Sequence, residues 1–293
     1  LTEPDIRSRA IALHDHFTHI SHDRRAFMAE MTRLAGSAAA AQALIAAIAA
    51  NPAAAAIVPE NDPRIISATV RWPGAGGHEM QGYLARAKGT KGKLPAVIII
   101  HENRGLQPYT RDVARRAALA GFLALAPDFL SPAGGTPASE EAAREAIGKL
   151  DLAATIADGV ATVNHMTARK LSNGKVGVVG FCWGGAMVNR IAVAAGHALA
   201  ASVAFYGPPP PPAEAAKVKA ALLLHYAAND ERVNAGAGAW VEALKAAGVS
   251  VQRHDYPGTE HAFHNDTAQA RYNAQAANLA WDRTIAFLKE KLA

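Results

Sequence analysis

Apolar and polar positions change rhythm twice along the chain. From Glu3 to Ile20, Ile6, Ala10, Leu13 and Phe17 recur at close to helical spacing. An alanine-rich run then extends from Leu34 to Ala56, with Asp23 a candidate N-cap and Leu44, Ile45 and Ile48 on one face. After Asn61 strands and helices alternate. Ile65 to Trp72 and Met80 to Arg86 predict two strands joined by the glycine-rich turn from Pro73 to Gly77. Pro95 to His101 is a continuous apolar run, the pattern of a strand covered on both faces. Further strands are predicted at Phe122 to Ala126, Val176 to Phe181, Ala201 to Tyr206, Ala220 to His225 and Val249 to Tyr256. Helices are predicted at Thr110 to Ala120, Ser139 to Thr167, Gly236 to Ala247 and Thr267 to Leu292. Repeated βα units imply an α/β fold with a doubly wound, mostly parallel sheet. Its functional groups are expected beyond the carboxyl ends of the strands. The expected organisation is an N-terminal helical arm over 1–60 and a catalytic domain over 61–293.

Composition narrows the class. Half of the 293 residues are hydrophobic, enough for a large core, and a single cysteine excludes an internal disulfide. The net charge of +5 is modest, and the basic residues are scattered without interleaved aromatics, which argues against nucleic acid as a partner. No segment reads as a stable transmembrane span. Arg24-Arg25 followed by small apolar residues resembles a twin-arginine export leader, while Glu30 and Arg33 interrupt it in the manner of an ordinary amphipathic helix. The chain is therefore expected in the cytoplasm, or in the periplasm if that segment exports it. A homodimer is compatible with the sequence. The prolines at 208–212 read as a rigid connector.

The one cysteine stands in Gly180-Phe181-Cys182-Trp183-Gly184-Gly185, between a β-branched run and a helix-like segment. The spacing G-x-C-x-G is that of a nucleophile elbow with cysteine in place of serine. A buried cysteine acting as a small hydrophobe is the competing reading. The elbow needs an acid after a later strand and then a histidine in a later loop. Asp230 ends the strand-like Leu222-Leu-Leu-His-Tyr-Ala-Ala, and His261 follows the last strand, in the required order. His264 is the nearest rival base and Glu260 the nearest rival acid. His261 and His264 lack a third ligand at zinc spacing, and His101, His225 and His254 sit where satisfied core or rim histidines belong.

Residues 65 to 292 resemble the dienelactone hydrolase family, the α/β-hydrolases with a cysteine nucleophile. The matching stretches are His101-Glu-Asn-Arg-Gly105, Ala126-Pro-Asp128, Asn173 to Gly185, Phe205-Tyr-Gly207, the Asp230 turn and Gly258-Thr-Glu-His261-Ala-Phe. The resemblance implies an α/β-hydrolase fold and a carboxylic ester or lactone hydrolase that needs no cofactor and no metal. It implies a triad of Cys182, Asp230 and His261, with Glu102 beside the cysteine helping to form the thiolate when substrate binds. Backbone N–H groups of Asn103 and Trp183 would supply the oxyanion hole. Arg104, Tyr109, Tyr206 and Phe263 are the candidate substrate contacts. Broader acyl-transfer or phosphoester chemistry on the same triad, or a non-catalytic binding protein on the same fold, are the alternatives. Members acting on dienelactone carry an arginine shortly after the Pro-Asp pair and another four residues after the histidine. Here those places hold Phe129 to Pro132 and Asn265. Without that fork, esters lacking a second carboxylate are expected to be processed at least as well as those carrying one.

Overall fold

The computed structural model describes residues 6, 9, 10, 13, 14, 17, 23–49 and 56–293. The expected helix over Glu3 to Ile20 and the end of the alanine-rich run fall largely outside them, as does the Ile48 side chain. Two arm helices are described, α1 (Arg24–Ala35) and α2 (Ala38–Ala49). Asp23 caps α1, its carboxylate accepting from the Arg25 and Ala26 N–H groups.

Eight strands form one sheet: β1 (Ile65–Pro73), β2 (Glu79–Ala87), β3 (Leu94–Ile100), β4 (Leu123–Asp128), β5 (Ser172–Phe181), β6 (Ala201–Phe205), β7 (Ala221–Ala227) and β8 (Val251–Tyr256). Their order is β1-β2-β4-β3-β5-β6-β7-β8. β1 and β2 run antiparallel at one edge, and the other pairings are parallel apart from β2 with β4. Seven helices follow the arm: α3 (Pro108–Leu119), α4 (Glu140–Gly148), α5 (Leu152–Ala168), α6 (Trp183–Ala194), α7 (Glu231–Asn234), α8 (Ala237–Ala246) and α9 (Ala274–Leu292).

The run of β3 explains the layering. Ala96, Ile98 and Ile100 face the cluster that includes Val163 and Met166 of α5 and Met187 and Ile191 of α6. Val97 and Ile99 face the other way, into the cluster of Val113 and Ala117 of α3 with Phe287 and Leu288 of α9. Successive strand side chains point to opposite faces, so a strand apolar at every position needs helices on both. Each buried isoleucine contributes roughly 1.5–3 kcal/mol relative to exposure.

Two predicted helices are shorter in the fold. The stretch from Ser139 to Thr167 is interrupted after Gly148, and Asp151 starts α5 by accepting from the Ala154 N–H at 2.8 Å. The last helix begins at Ala274, where Asn273 accepts from the Ala276 N–H at 3.0 Å. In both cases a side-chain cap outcompetes continuation of the helical ladder.

The arm has its own small core of Ala10, Phe27, Met31 and Ala41, with Leu44, Ile45 and Ala270 packed against it. Ile57 and Val58 are held differently. Their N–H groups donate to Asp112 of α3 at 3.2 and 2.8 Å, and Arg115 Nε donates to the Val58 carbonyl at 2.6 Å. A truncation removing residues 1–55 keeps this clasp and every strand. It is expected to leave a soluble protein with one cooperative melt by calorimetry, whereas aggregation or a broadened transition would place the arm in the folding core.

Candidate active site

Cys182 joins β5 to α6 with φ 56° and ψ −115°, a region that costs a non-glycine residue of order 1–3 kcal/mol. The surrounding backbone holds it there. Its N–H donates to the Phe205 carbonyl at 3.0 Å, and its carbonyl accepts from Ala186 at 3.1 Å. The bracketing glycines are needed for close approach. A Cβ on Gly180 would lie 2.3 Å from the Gly184 carbonyl oxygen, and one on Gly184 would lie 2.5 Å from the carbonyl oxygens of Ile100 and His101. The turn thus lifts the thiol over the carboxyl edge of the sheet while α6 starts directly against β3.

The other two groups of the proposed triad come from neighbouring strand ends. Asp230 follows β7 and caps the short α7, accepting from the Val233 N–H at 3.3 Å through Oδ1. Its Oδ2 accepts from His261 Nδ1 at 2.5 Å. His261 lies in the loop after β8 and is followed by Ala262 at φ 70°. Burial by itself favours the neutral imidazole. The charge of Cys182, then that of Asp230, and hydrogen bonds to both outweigh burial and hold His261 well above its ordinary range. Burial would likewise raise Asp230, but His261, and then Arg232 and the Val233 N–H, bring it below the usual carboxylate range. The protonated ring is thus favoured where the Asp230 carboxylate and a charged Cys182 sulfur both face it.

The rivals are occupied elsewhere. His264 is buried, and its Nδ1 accepts from the Tyr109 hydroxyl at 2.6 Å. Burial, with Arg116 nearby, pushes it well below the usual histidine range. Glu260 accepts from Asn229 Nδ2 at 3.0 Å, away from His261 Nδ1. His101 is a satisfied core residue: its Nδ1 donates to the Glu102 carbonyl at 2.7 Å, and its ring stacks on Trp183 at 5.3 Å. Among the described residues no group of three or more metal-ligating side chains converges.

Two cavities meet at the thiol. The larger, about 370 Å³, is lined by Cys182, Asn103 and Trp183. Ile147, Leu152 and Met187 add apolar surface to it. The smaller, about 20 Å³, has room for roughly one water and is lined by Cys182, His261, Glu102 and Arg104. His14 of the arm and Arg271 close it, joined at 3.0 Å. Glu102 is fixed through both oxygens. Asn265 Nδ2 donates to Oε2 at 2.7 Å, and the Tyr206 hydroxyl reaches Oε1 at a long 3.5 Å. Asn265, at one of the two places where the resemblance led to an expected arginine, thus serves as a neutral support for the carboxylate.

Of the expected substrate contacts, Arg104 borders the small cavity and bonds Glu140 at 3.0 Å. Tyr109, Tyr206 and Phe263 line neither cavity. They are buried one layer behind, Tyr206 and Phe263 in edge contact at 5.5 Å and Tyr206 backing the His261 ring at 5.0 Å. Their aromatic surface braces the loops that carry Glu102 and His261. The cleft residues that sequence reasoning missed are Arg144, Ile147, Leu152, Met187, Arg190 and Arg232. Nothing local marks them, because the tertiary packing of four separate helices, α4 to α7, decides which of their faces borders the cavity.

Comparison with known proteins places the chain and its fold. The model of the dienelactone hydrolase family matches residues 80–292. A protein of Escherichia coli strain K12, provisionally named carboxymethylenebutenolidase, is 30% identical over 259 residues, 83% of this chain and 93% of its own. A dienelactone hydrolase-like promiscuous phosphotriesterase from metagenomic libraries superposes with a TM-score of 0.70 at 25% identity, covering 78% of this chain and all of its own. A dienelactone hydrolase of Anabaena variabilis shares the fold with a TM-score of 0.63 at 21% identity, over 78% of this chain and 100% of its own.

The raised imidazole makes a pH prediction. A histidine held above its ordinary value stays protonated as pH climbs past 6.5, and its cation then favours a negative charge on a neighbouring sulfur. Alkylation of Cys182 by iodoacetamide at pH 6.5 is expected to slow by about tenfold or more in His261→Ala, where the cation that favours the thiolate is gone. Equal rates for the two proteins between pH 6 and 9 would mean that His261 does not act on the thiol.

Proposed function

This chain belongs to the dienelactone hydrolase family and is a hydrolase; from that premise we propose that it cleaves carboxylic esters or lactones through an acyl-thioester on Cys182. One observation carries the reading. A strained thiol at the β5–α6 elbow lines both cavities, one shared with the start of a helix and the other with His261, which is paired with Asp230 at 2.5 Å.

Cys182 Sγ attacks the carbonyl carbon, and the carbonyl π electrons move onto oxygen. Asn103 and Trp183 N–H groups receive that oxyanion, Trp183 with the free N–H and partial positive charge of the α6 N-terminus. The tetrahedral species collapses, the C–O bond breaks, and the His261 imidazolium gives its proton to the leaving alkoxide. His261 is then neutral and takes a proton from water as that water attacks the thioester. Collapse of the second tetrahedral species expels the Cys182 thiolate and returns the carboxylic acid. Asp230 holds the ring orientation throughout and stabilises its charged form. Glu102 borders the same small cavity as the thiol and is the second group able to take its proton. A phosphotriester reading of the same nucleophile draws on the metagenomic phosphotriesterase relative, and a panel of aryl esters, lactones and phosphotriesters separates the two.

Cys182→Ala is expected to abolish ester hydrolysis and the burst of alcohol release from an activated aryl ester, with an unchanged thermal melt. Full turnover in that variant would remove the thiol from the mechanism. Glu102→Gln is expected to slow acylation on the order of a hundredfold in single-turnover kinetics, as loss of a general base does. An unchanged acylation rate would leave Glu102 a structural carboxylate.

A further inference from the structure

The family's two arginine positions are empty of cations here, yet the cleft is strongly basic. Arg144 of α4, Arg190 of α6 and Arg232 of α7 line the same 370 Å³ cavity as Cys182, and no aspartate or glutamate lines it. The three come from separate helices around the opening, and none occupies the stretch 129–132 or position 265.

Their surroundings differ from those of ordinary surface arginines. Arg190 donates from Nη1 to the Ala186 carbonyl of its own helix at 3.1 Å, and no described carboxylate forms an ion pair with it. Its guanidinium is destabilised by burial alone. Arg144 has Glu140 on its own helix, but Glu140 bonds Arg104 at 3.0 Å. Burial and then the Arg104 charge outweigh Glu140 and Glu141 and pull Arg144 below its ordinary value. An arginine stem often lies on apolar surface with its head in water, and that explains one such residue. Three heads around one concave site, without a compensating acid in its wall, concentrate positive potential where substrate enters. A planar guanidinium with unused donors binds carboxylate through two parallel hydrogen bonds.

We propose that Arg144 and Arg190 form an anion subsite, with Arg232 reinforcing its potential, so that the preferred substrate is an ester or lactone bearing a second, anionic group on an apolar body. The apolar body would lie along Trp183, Met187 and Leu152, and the anionic group would reach the arginines across the cleft from the thiol. The proposal rests on the hydrolase reading of Cys182. It reverses the expectation from sequence that neutral esters are processed at least as well.

The test compares 4-nitrophenyl hydrogen glutarate with the neutral 4-nitrophenyl hexanoate on the full chain, reading the ratio of their kcat/KM values. Arg190→Met and Arg144→Met are each expected to lower that ratio by about ten- to a hundredfold, through KM for the anionic ester, as loss of a charge-assisted hydrogen bond does. Arg190→Lys should fall between. Lys149→Met, which removes an exposed charge near the end of α4, should leave the ratio unchanged. A ratio unmoved in the Arg144→Met, Arg190→Met double variant overturns the subsite, as does an equal fall in Lys149→Met. Calorimetric titration of Cys182→Ala protein with glutarate separates this from the hydrolase reading. Glutarate binding that is lost on adding Arg190→Met upholds the subsite even if neither ester is cleaved, and binding that is indifferent to Arg190 overturns it.

Discussion

Everything at this site depends on one close approach, that of the first turn of α6 to the end of β3. Gly184 touches the carbonyls of Ile100 and His101 so closely that a single methyl group would not fit. That contact fixes where α6 starts and forces Cys182 into its positive-φ turn. It also places the Trp183 N–H beside the loop that carries Glu102 and Asn103. The cost is backbone strain, offset by β5 lying in the middle of a sheet buried on both faces. Tyr206 at φ 38° and Ala262 at φ 70° are the other non-glycine positive-φ residues among those described, and both lie beside His261. Strain is concentrated where side chains must be aimed, and the sheet makes it tolerable.

Electrostatics completes what geometry begins. Asp230 and His261 are buried; Asp230 overcomes its desolvation chiefly through His261, and His261 through Cys182 and then Asp230. A buried carboxylate or imidazolium alone would be unfavourable, so the pair is retained because both members and the thiol are present together. The cleft in front carries the same sign of charge as the imidazolium. An entering anion would be attracted by the arginine wall, and the carboxylate formed by hydrolysis leaves against that same attraction.

The sequence was legible where a local rule was strict. Alternation of β and α signals revealed the doubly wound sheet. The unbroken apolar run before His101 marked a central strand, since only a strand covered on both faces tolerates it. The glycines around Cys182 marked a turn with no room for side chains. The order of Asp230 and His261 after that turn singled them out from a dozen histidines and many acids, and the fold brings those two within 2.5 Å. Helix ends at Gly148 and Asn273 were less legible, because a single capping side chain decided each.

Chain order and backbone constraint are written in the sequence: which strand precedes which loop, where only glycine fits, which segment is apolar at every position. The walls of the cleft are not. Tyr109, Tyr206 and Phe263 have the composition of a substrate pocket, and tertiary packing puts them behind it. Arg144, Arg190 and Arg232 read as ordinary helix surface, and packing turns them onto the cavity that Cys182 also lines. Which face of a helix meets a cavity depends on contacts between residues far apart in the chain, and no local pattern encodes that.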